Sequence, residues 1–143
     1  MRSLYVIKSG FSLEIQDMGR PGYLEQGLSK SGVADRLAIQ EVIAMHCRGV
    51  DRASAEILMS CYWPDAKVDY GAYKGSAHAF CGPLTEAIQR YENTQHIVSN
   101  LLIELGDGSA RVETYVTAHH YLAGDPDTEM TYIGRYFDQM QKR

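Results

Sequence analysis

The stretch from Gln95 to Ala123, QHIVSNLLIELGDGSARVETYVTAHHYLA, decides the fold class. It contains two long runs rich in β-branched, aromatic and other apolar residues, and they flank GDGS, a favourable hairpin turn. A third run of the same kind, EMTYIGRYFDQMQ from Glu129 to Gln141, follows the turn sequence GDPDT. The pattern predicts three long antiparallel strands in succession.

Three helices are predicted upstream of these strands. Apolar residues at helical spacing predict a first helix over Asp35–Gly49, with the aspartate as its N-cap. A second helix is predicted within Asp51–Trp63, and a third over 76–91, where Pro83 should kink or interrupt it. Between these two helices, AKVDYG at 66–71 is typical of a short strand. Helices followed by an antiparallel meander indicate an α+β fold.

The first 35 residues differ from the rest, because they are rich in turn-forming stretches such as KSG and MGRPGY. Within them, 4–8 and 11–16 have the pattern of two short strands joined by a hairpin turn. The segment 19–32 is expected to be a loop. We therefore divide the chain into an appended β-hairpin and loop segment at 1–34 and one main domain at 35–143.

The composition argues against several classes of partner. A formal net charge of −4, without a block of basic residues, makes nucleic acid or an anionic membrane an unsuitable partner. The three cysteines form no CxxC pair, which is typical of reduced, buried thiols and predicts a cytoplasmic protein. The first residues contain only a short apolar run, LYVI, which cannot serve as a signal peptide or a membrane span.

His96 and Asp51 are the main candidates for chemistry. Period-two alternation places His96 and Asn100 on one face of the first long strand, together with Val98 and Leu102. Both faces of that strand are largely apolar, so it should be covered on both sides. His96 and Asn100 then either line a cavity or are satisfied within the core. Asp51 either caps the second helix or is the carboxylate partner of His96, fixing the imidazole tautomer for general base catalysis.

The other histidines and the cysteines form no metal motif. His46 falls on the apolar stripe of the first helix, where it is core or pocket wall. His119 and His120 are neighbours in a strand, so they point to opposite faces and cannot chelate one ion together. Because HxxxH and HExxH are absent and the cysteines are scattered, we predict no metal site and no cofactor.

From Asp35 onward the chain resembles the SnoaL-like group of the nuclear transport factor 2-like superfamily. The matching stretches are, in order, DRLAIQEVIAMHCRGVDRAS, CYWPDAKVDYGAYKGSA, TQHIVSNLLIELGDGSARVETYVTAHHYLAG and YIGRYFDQM. The resemblance implies a curved antiparallel sheet around a cone-shaped pocket, with three helices closing the other side. Related folds have one further strand after GRYFDQM, so we expect this usual last strand to be missing here.

Within that group, the sequence is most similar to scytalone dehydratase and hexachlorocyclohexane dehydrochlorinase, in which an aspartate and a histidine act as a dyad in proton abstraction. Asp51, in a GVD stretch at the end of a helix, and His96, which opens the strand after the third helix, match this dyad. Tyr70, in VDYG, matches a tyrosine that helps to hold a catalytic water in scytalone dehydratase. A second histidine of the family matches His120 better than His119, because His120 shares its face with apolar positions.

The resemblance implies a cofactor-free lyase or isomerase with a hydrophobic pocket for a small apolar or aromatic ligand. The implied catalytic residues are Asp51, His96 and Tyr70, and the implied substrate-binding residues are Asn100, His120 and His46. The alternative is a non-catalytic module of the same fold that binds a small ligand or serves oligomerisation, since one fold hosts many functions.

The first 35 residues resemble a different family. GFSLEIQDMGRPGYLEQGLSKSGVADRLA is similar to the start of the biotin-dependent carboxyltransferase and 5-oxoprolinase subunit family, over a few dozen residues only, so we transfer no activity from it. Because the main domain should lack a strand, we expect 4–16 to supply the missing pairing, within its own chain or by exchange with a neighbour. The missing strand and the apolar sheet face also predict a homodimer or higher homo-oligomer.

Overall fold

The computed structural model describes residues 5–10, 30–125 and 127–143. These residues form three helices and six strands. The helices are α1 (Lys30–Asp51), α2 (Ala55–Ser60) and α3 (Ala77–Ile88), and the strands are β1 (Tyr5–Gly10), β2 (Tyr62–Asp69), β3 (Lys74–Ser76), β4 (Tyr91–Leu105), β5 (Ser109–Leu122) and β6 (Glu129–Lys142). None of these helices is both long and apolar enough to cross a membrane.

The strands form one curved sheet in the order β3-β2-β1-β6-β5-β4. β4, β5 and β6 are successive antiparallel neighbours, with Ile103 opposite Val112 in one pair and Val112 opposite Asp138 in the next. Gly108, whose φ is 63°, completes the turn between β4 and β5. The predicted antiparallel meander and the α+β fold class are both confirmed.

The hydrophobic core lies between the helices and the inner face of the sheet. α1 contributes Ile39 and Ile43, α2 contributes Leu58, and the sheet contributes Val112 and Met140, all of them buried. Burying each aliphatic side chain of this kind stabilises the fold by about 1.5–3 kcal/mol. The core therefore fixes α1 against the sheet, and the candidate site lies where α1 ends.

The first two helices differ from their predicted bounds. α1 begins at Lys30, so Asp35 lies within the helix and is not its N-cap. The Asp35 carboxylate instead accepts a hydrogen bond from Lys142 Nζ at 2.8 Å. α2 ends at Ser60, because Tyr62 and Pro64 belong to β2 rather than to a helix. An apolar run of this length fits a buried strand as well as a buried helix, so its periodicity did not separate the two.

α3 continues through Pro83, so the predicted interruption at this residue is wrong. The proline removes one N–H from the helix, which is costly in an isolated helix. Here Cys81 and Thr85, on either side of the proline, are both buried against the core. Tertiary packing therefore holds the helix together across the missing hydrogen bond.

β1 lies between β2 and β6 in the main sheet. It pairs antiparallel with β6, where Ile7 is opposite Met140, and parallel with β2, where Gly10 is opposite Val68. A strand that followed β6 through a hairpin would also be antiparallel to β6, so β1 has the orientation of the missing strand. The predicted insertion into the sheet is thus confirmed for Tyr5–Gly10, whereas 11–16 lies outside the described residues.

The outer face of the sheet is open, contrary to the expectation that β4 is covered on both sides. Ile97 of β4 is 47% exposed and Ile133 of β6 is 78% exposed. Tyr115 of β5, on the same face, is also exposed. The described helices pack on the inner face, so the apolar side chains of the outer face are not covered by any of the described helices.

Candidate active site

Asp51, the last residue of α1, is hydrogen bonded to His96 in β4. Its Oδ1 lies 2.7 Å from His96 Nδ1, and both carboxylate oxygens accept from the backbone N–H of His96 at 3.1 Å. The side chain of His96 is 8% exposed and that of Asp51 is 22% exposed. Since an ionised carboxylate can only accept, Nδ1 of His96 carries a proton, and Nε2 is the basic atom of the neutral ring.

The chain turns sharply after Asp51, which leaves its carboxylate available to His96. Ala53 has a φ of 46°, a left-handed conformation that ends α1. Ser54 then caps α2, with its side chain accepting from the backbone N–H of Ile57 at 3.3 Å. The interpretation of Asp51 as the cap of the second helix is therefore wrong, because Ser54 occupies that position.

A cavity of about 250 Å³ opens between the inner face of the sheet and the helices. Its wall combines aliphatic, tyrosine and histidine side chains from α1, α3, the end of β2 and the three long strands. The lining residues are His46, Val50, Tyr70, Leu84, Ile88, His96, His120, Tyr132 and Tyr136. No lysine, arginine, aspartate or glutamate is among them, so the wall carries a fixed charge only if a histidine is protonated.

Asp51 lies on the side of His96 that faces away from this cavity. It lines an open groove on the other side of His96, together with Arg48 of α1, Arg52 directly after α1 and Gln95 of β4. His96 borders both spaces. The imidazole therefore lies between the cavity and the Asp51 carboxylate.

His120 of β5 faces the same cavity as His96. The two rings meet edge to face with centroids 5.4 Å apart, and His120 Nδ1 lies 2.9 Å from Thr94 Oγ1. Burial lowers the pKa of His120, and the nearby His96 lowers it further. His119 points to the outer face, where its Nδ1 is hydrogen bonded to Glu129, so the two neighbouring histidines diverge as alternation predicts.

Tyr70, His46 and Tyr62 form a polar group at the inner end of the cavity. Tyr70 follows β2 directly, and its ring stacks on Phe80 with centroids 4.8 Å apart. His46 Nε2 lies 2.8 Å from the Tyr62 hydroxyl, which is also hydrogen bonded to the Tyr70 hydroxyl. Burial lowers the pKa of His46 to about 4, helped by the nearby His96, and burial raises the pKa of both tyrosines.

Asp138 of β6 lies behind this group and is buried. It borders a second, much smaller cavity of about 10 Å³, which it shares with His46, Tyr62, Tyr70 and Tyr136 among others. A space of this size holds about one water molecule. Burial raises the pKa of Asp138 to about 7, because the ionised carboxylate would lose its hydration without gaining a cation.

Asn100 does not face the cavity, and its predicted position beside His96 is wrong. The register between β4 and β5 shifts between Ser99 and Leu102, and Asn100 has a φ of 48° and is exposed. This β-bulge exchanges the two faces of the strand, so that Ile103 rather than Leu102 is buried in the core. One extra residue thus removes Asn100 from the set expected to bind substrate.

Sequence reasoning missed Tyr62, Tyr132, Tyr136 and Asp138. The last three alternate along β6 with Gly134 and share its inner face, so period-two alternation applied to this strand would have found them. A Cβ at Gly134 would lie 2.3 Å from the Tyr132 hydroxyl, so the glycine makes room for that ring. The sequence pattern did not identify Tyr62 as a site residue, because Tyr62 falls within the segment predicted to be the second helix.

Comparison with known proteins agrees with this architecture. Residues 31–143 match the model of the SnoaL-like domain, and none of the curated proteins matches the chain. A candidate scytalone dehydratase from Novosphingobium aromaticivorans DSM 12444 is similar in structure, with 20% identity and a TM-score of 0.71 over 79% of this chain and 82% of its own.

Two further structures are similar at comparable levels. A hexachlorocyclohexane dehydrochlorinase from Novosphingobium barchaimii LL02 has 21% identity and a TM-score of 0.67 over 78% of each chain. A protein from Kribbella flavida has 15% identity and a TM-score of 0.68 over 77% of this chain and 86% of its own. At these identities, the similarity shows a common fold.

Proposed function

Because the chain belongs to the SnoaL-like domain family, which its residues 31–143 match, we propose that it is a cofactor-free lyase or isomerase. The observation that carries the proposal is the hydrogen bond of 2.7 Å between Asp51 Oδ1 and His96 Nδ1, with the histidine ring in the wall of a cavity. Two structurally similar proteins are named as a dehydratase and a dehydrochlorinase. Dehydration and dehydrochlorination are both eliminations, and an aspartate–histidine pair can catalyse reactions of this kind.

In the proposed reaction, His96 Nε2 takes a proton from a carbon next to a leaving group or a carbonyl. The electron pair of the broken C–H bond forms a new double bond, while the leaving group departs with its own pair or the carbonyl oxygen becomes an enolate. Asp51 balances the positive charge of the imidazolium from the far side of the ring. The proton then returns to the leaving group or to another carbon, so the reaction needs no redox partner.

Tyr70 is proposed to donate a hydrogen bond to the oxygen on which negative charge develops, or to a water that stands in for it. Its position in the cavity wall and its raised pKa, which keeps the phenol protonated, both support this role. His120 and His46 are proposed to contact the substrate, since both lie in the wall, and their lowered pKa values keep them uncharged near neutral pH.

The lining supports a small apolar or aromatic substrate. Tyr132 and Tyr136 offer ring faces and Leu84 and Ile88 offer aliphatic surface. The described lining residues include no lysine or arginine that would neutralise a carboxylate or phosphate. A volume of about 250 Å³ suits a compact molecule of one or two rings. An anionic substrate would lose its hydration here without gaining a counter-charge.

The second candidate is a non-catalytic module that binds a small ligand or serves oligomerisation. The open apolar outer face favours this reading, because Ile97, Tyr115 and Ile133 lie exposed on it. Patches of this kind mark interaction sites on soluble proteins. We propose that a second copy of the chain covers this face, giving a homodimer or a higher oligomer, and this assembly is compatible with either function.

A cytoplasmic location is proposed with the same function. The cysteines Cys47, Cys61 and Cys81 are buried and unpaired. Unpaired thiols of this kind are typical of proteins in reducing compartments.

The proposal is tested with two substitutions, one at each member of the Asp51–His96 pair. The protein is screened against small cyclic alcohols, halides and ketones with an acidic C–H bond, with NMR in deuterated water to detect both elimination and exchange of the C–H proton. D51N and His96→Ala should each lower turnover of any substrate found by about a hundredfold or more, since both remove general base catalysis. Circular dichroism should show that both variants remain folded.

His119→Ala is the matched control, because His119 lies on the outer face and makes its hydrogen bond to Glu129 there. It should retain the rate of the wild-type protein. A substrate that either dyad variant turns over at the wild-type rate would contradict the proposed chemistry. If ligands bind and none is turned over or exchanged, the module reading is favoured.

A further inference from the structure

Tyr132 lies where the cavity meets the solvent. It is 40% exposed, whereas the other described residues of the cavity wall are buried or half-buried. In this part of β6, only β5 is a backbone neighbour among the described residues, because β1 pairs further along the strand. A side chain that borders both the cavity and the solvent marks the mouth of the cavity, and here that side chain is an aromatic ring.

The ring of Tyr132 lies over Gly134. The two residues are two positions apart in β6, so both face the inner side of the sheet. A Cβ atom at Gly134 would lie 2.6 Å from Tyr132 Cζ and 2.8 Å from Cε1, whereas non-bonded carbon atoms stay about 3.5–4.0 Å apart. The ring therefore fills the space that a side chain at position 134 would need, and its position requires a glycine there.

Two roles fit a tyrosine ring that covers a glycine in a strand. The ring can shield the backbone of Gly134, because a strand is weakened where it has no side chain to pack. The ring can also form the outer boundary of the cavity, since Tyr132 is part of the wall. Removing the ring lowers only stability in the first case, whereas in the second it changes which ligands fit. The position at the mouth favours the second role.

We propose that Tyr132 is a specificity-determining residue, which limits the size of the ligand at the mouth of the cavity while Gly134 allows its ring to lie there. His46, Val50 and Ile88 of the wall are buried, so a molecule too long for the cavity would have to displace Tyr132. The site is thereby assigned compact uncharged molecules of one or two rings. The inference deepens the proposed function and rests on it only in taking this cavity as the substrate site.

The test compares two uncharged fluorescent probes in titrations of the full chain, namely 2-naphthol with two rings and 1-pyrenemethanol with four. Binding of 1-pyrenemethanol is counted only where an excess of 2-naphthol displaces it, which separates the cavity from the apolar outer face. The wild-type protein should bind 2-naphthol more tightly than 1-pyrenemethanol. Tyr132→Ala should bind 1-pyrenemethanol about tenfold more tightly than the wild type does, because the probe no longer displaces a packed ring. Its affinity for 2-naphthol should change by less than about threefold.

Gly134→Ala tests how the ring is held. The added methyl group cannot coexist with the ring of Tyr132 in its observed position. The substitution should therefore change the ratio of the two affinities by about threefold or more, and this change should disappear when Tyr132 is already replaced by alanine. A change of equal size in both backgrounds would overturn the proposal, because the methyl group would then act on the probe without the ring.

Tyr121→Ala is the matched control, because it removes a similarly exposed tyrosine from β5 that is not among the lining residues. It should leave both affinities unchanged. If the affinity of Tyr132→Ala for 1-pyrenemethanol stays within about twofold of the wild-type value, the proposal is wrong and shielding of Gly134 is the role of the ring. A wild-type protein that binds 1-pyrenemethanol as tightly as 2-naphthol, or binds neither, would overturn the proposal as well. If Tyr132→Ala does not fold, Tyr132→Leu replaces it, since leucine keeps apolar contact without the length of the ring.

The binding measurement is independent of the chemistry at Asp51 and His96. Failure of the proposed function would appear as full turnover in the dyad variants and would leave the preference between the two probes as measured. Failure of the present inference would appear as an unchanged preference in Tyr132→Ala and would leave the dyad variants inactive. The two outcomes are therefore distinguishable.

Discussion

Replacing Asp138 with asparagine should remove a pH dependence of stability that the wild-type protein shows. Burial raises the pKa of Asp138 from 3.8 to about 7 in the folded state, whereas the unfolded chain keeps the ordinary value. Between these two values the folded state binds a proton that the unfolded state lacks, so stability falls as pH rises and is constant again above about pH 7. A shift of about three units at about 1.4 kcal/mol per unit gives about 4 kcal/mol in total.

Most of this loss falls in a range that is easy to measure. Roughly one third of this loss falls below pH 5 and roughly two thirds, about 3 kcal/mol, falls between pH 5 and pH 8. The groups that border Asp138 are His46 and Cys47 from α1, Tyr62 from β2, and Tyr70 and Tyr136. Of these, His46 is neutral throughout the range because its pKa is about 4, and burial raises the pKa of the thiol and of the phenols.

The assay is urea unfolding at pH 5, 6, 7 and 8, followed by circular dichroism. With a typical dependence of about 2 kcal/mol per molar urea, the wild-type midpoint should fall by about 1–1.5 M relative to that of D138N between pH 5 and pH 8. Asp107→Asn is the control, because it makes the same chemical change at an exposed turn position. Parallel pH curves for the wild type and D138N would refute the reasoning, since they would place the folded pKa near the unfolded one.

Two further predictions concern the assembly of the sheet. Deleting residues 2–10 should cause aggregation or loss of the fold, because β2 and β6 both pair with β1 and would each be left with an unpaired edge. Soluble yield and circular dichroism measure this effect, and a folded, soluble product would contradict the prediction. Ile133→Glu should lower the mass measured by light scattering at tens of micromolar, because Ile133 is the most exposed of the large hydrophobic residues on the outer face. Gln40→Glu, on the exposed side of α1, is a control for added charge alone. A wild-type protein that is already monomeric would contradict the predicted oligomer.

The meander was predictable from sequence because its signals are local. Alternation and two glycine-containing turns determine β4, β5 and β6, and the observed bounds differ from the predicted ones by at most four residues. The segment 55–69 was less predictable, since a short buried helix and a buried strand both appear as apolar runs. There Ser54 and Pro64 mark the two elements, since Ser54 caps α2 and Pro64 lies in β2.

The candidate site was predictable only in part. Asp51 and His96 are 45 positions apart, so no spacing rule brings them together, and their pairing was expected from the family resemblance. Asn100 was misplaced because alternation assumes an unbroken register, whereas the bulge exchanges the two faces after Ser99. The bulge depends on how β4 and β5 pair with each other, so the sequence of β4 alone does not reveal it.

The position of β1 connects the appended segment with the buried end of the site. β1 pairs with Gln139–Lys142 of β6, next to Asp138, whereas the half of β6 that carries Tyr132 has only β5 as its backbone neighbour among the described residues. The N-terminal strand therefore supports the part of β6 next to Asp138 rather than the part that carries Tyr132. Since burial raises the pKa of Asp138, we expect loss of this strand to lower that pKa toward its ordinary value.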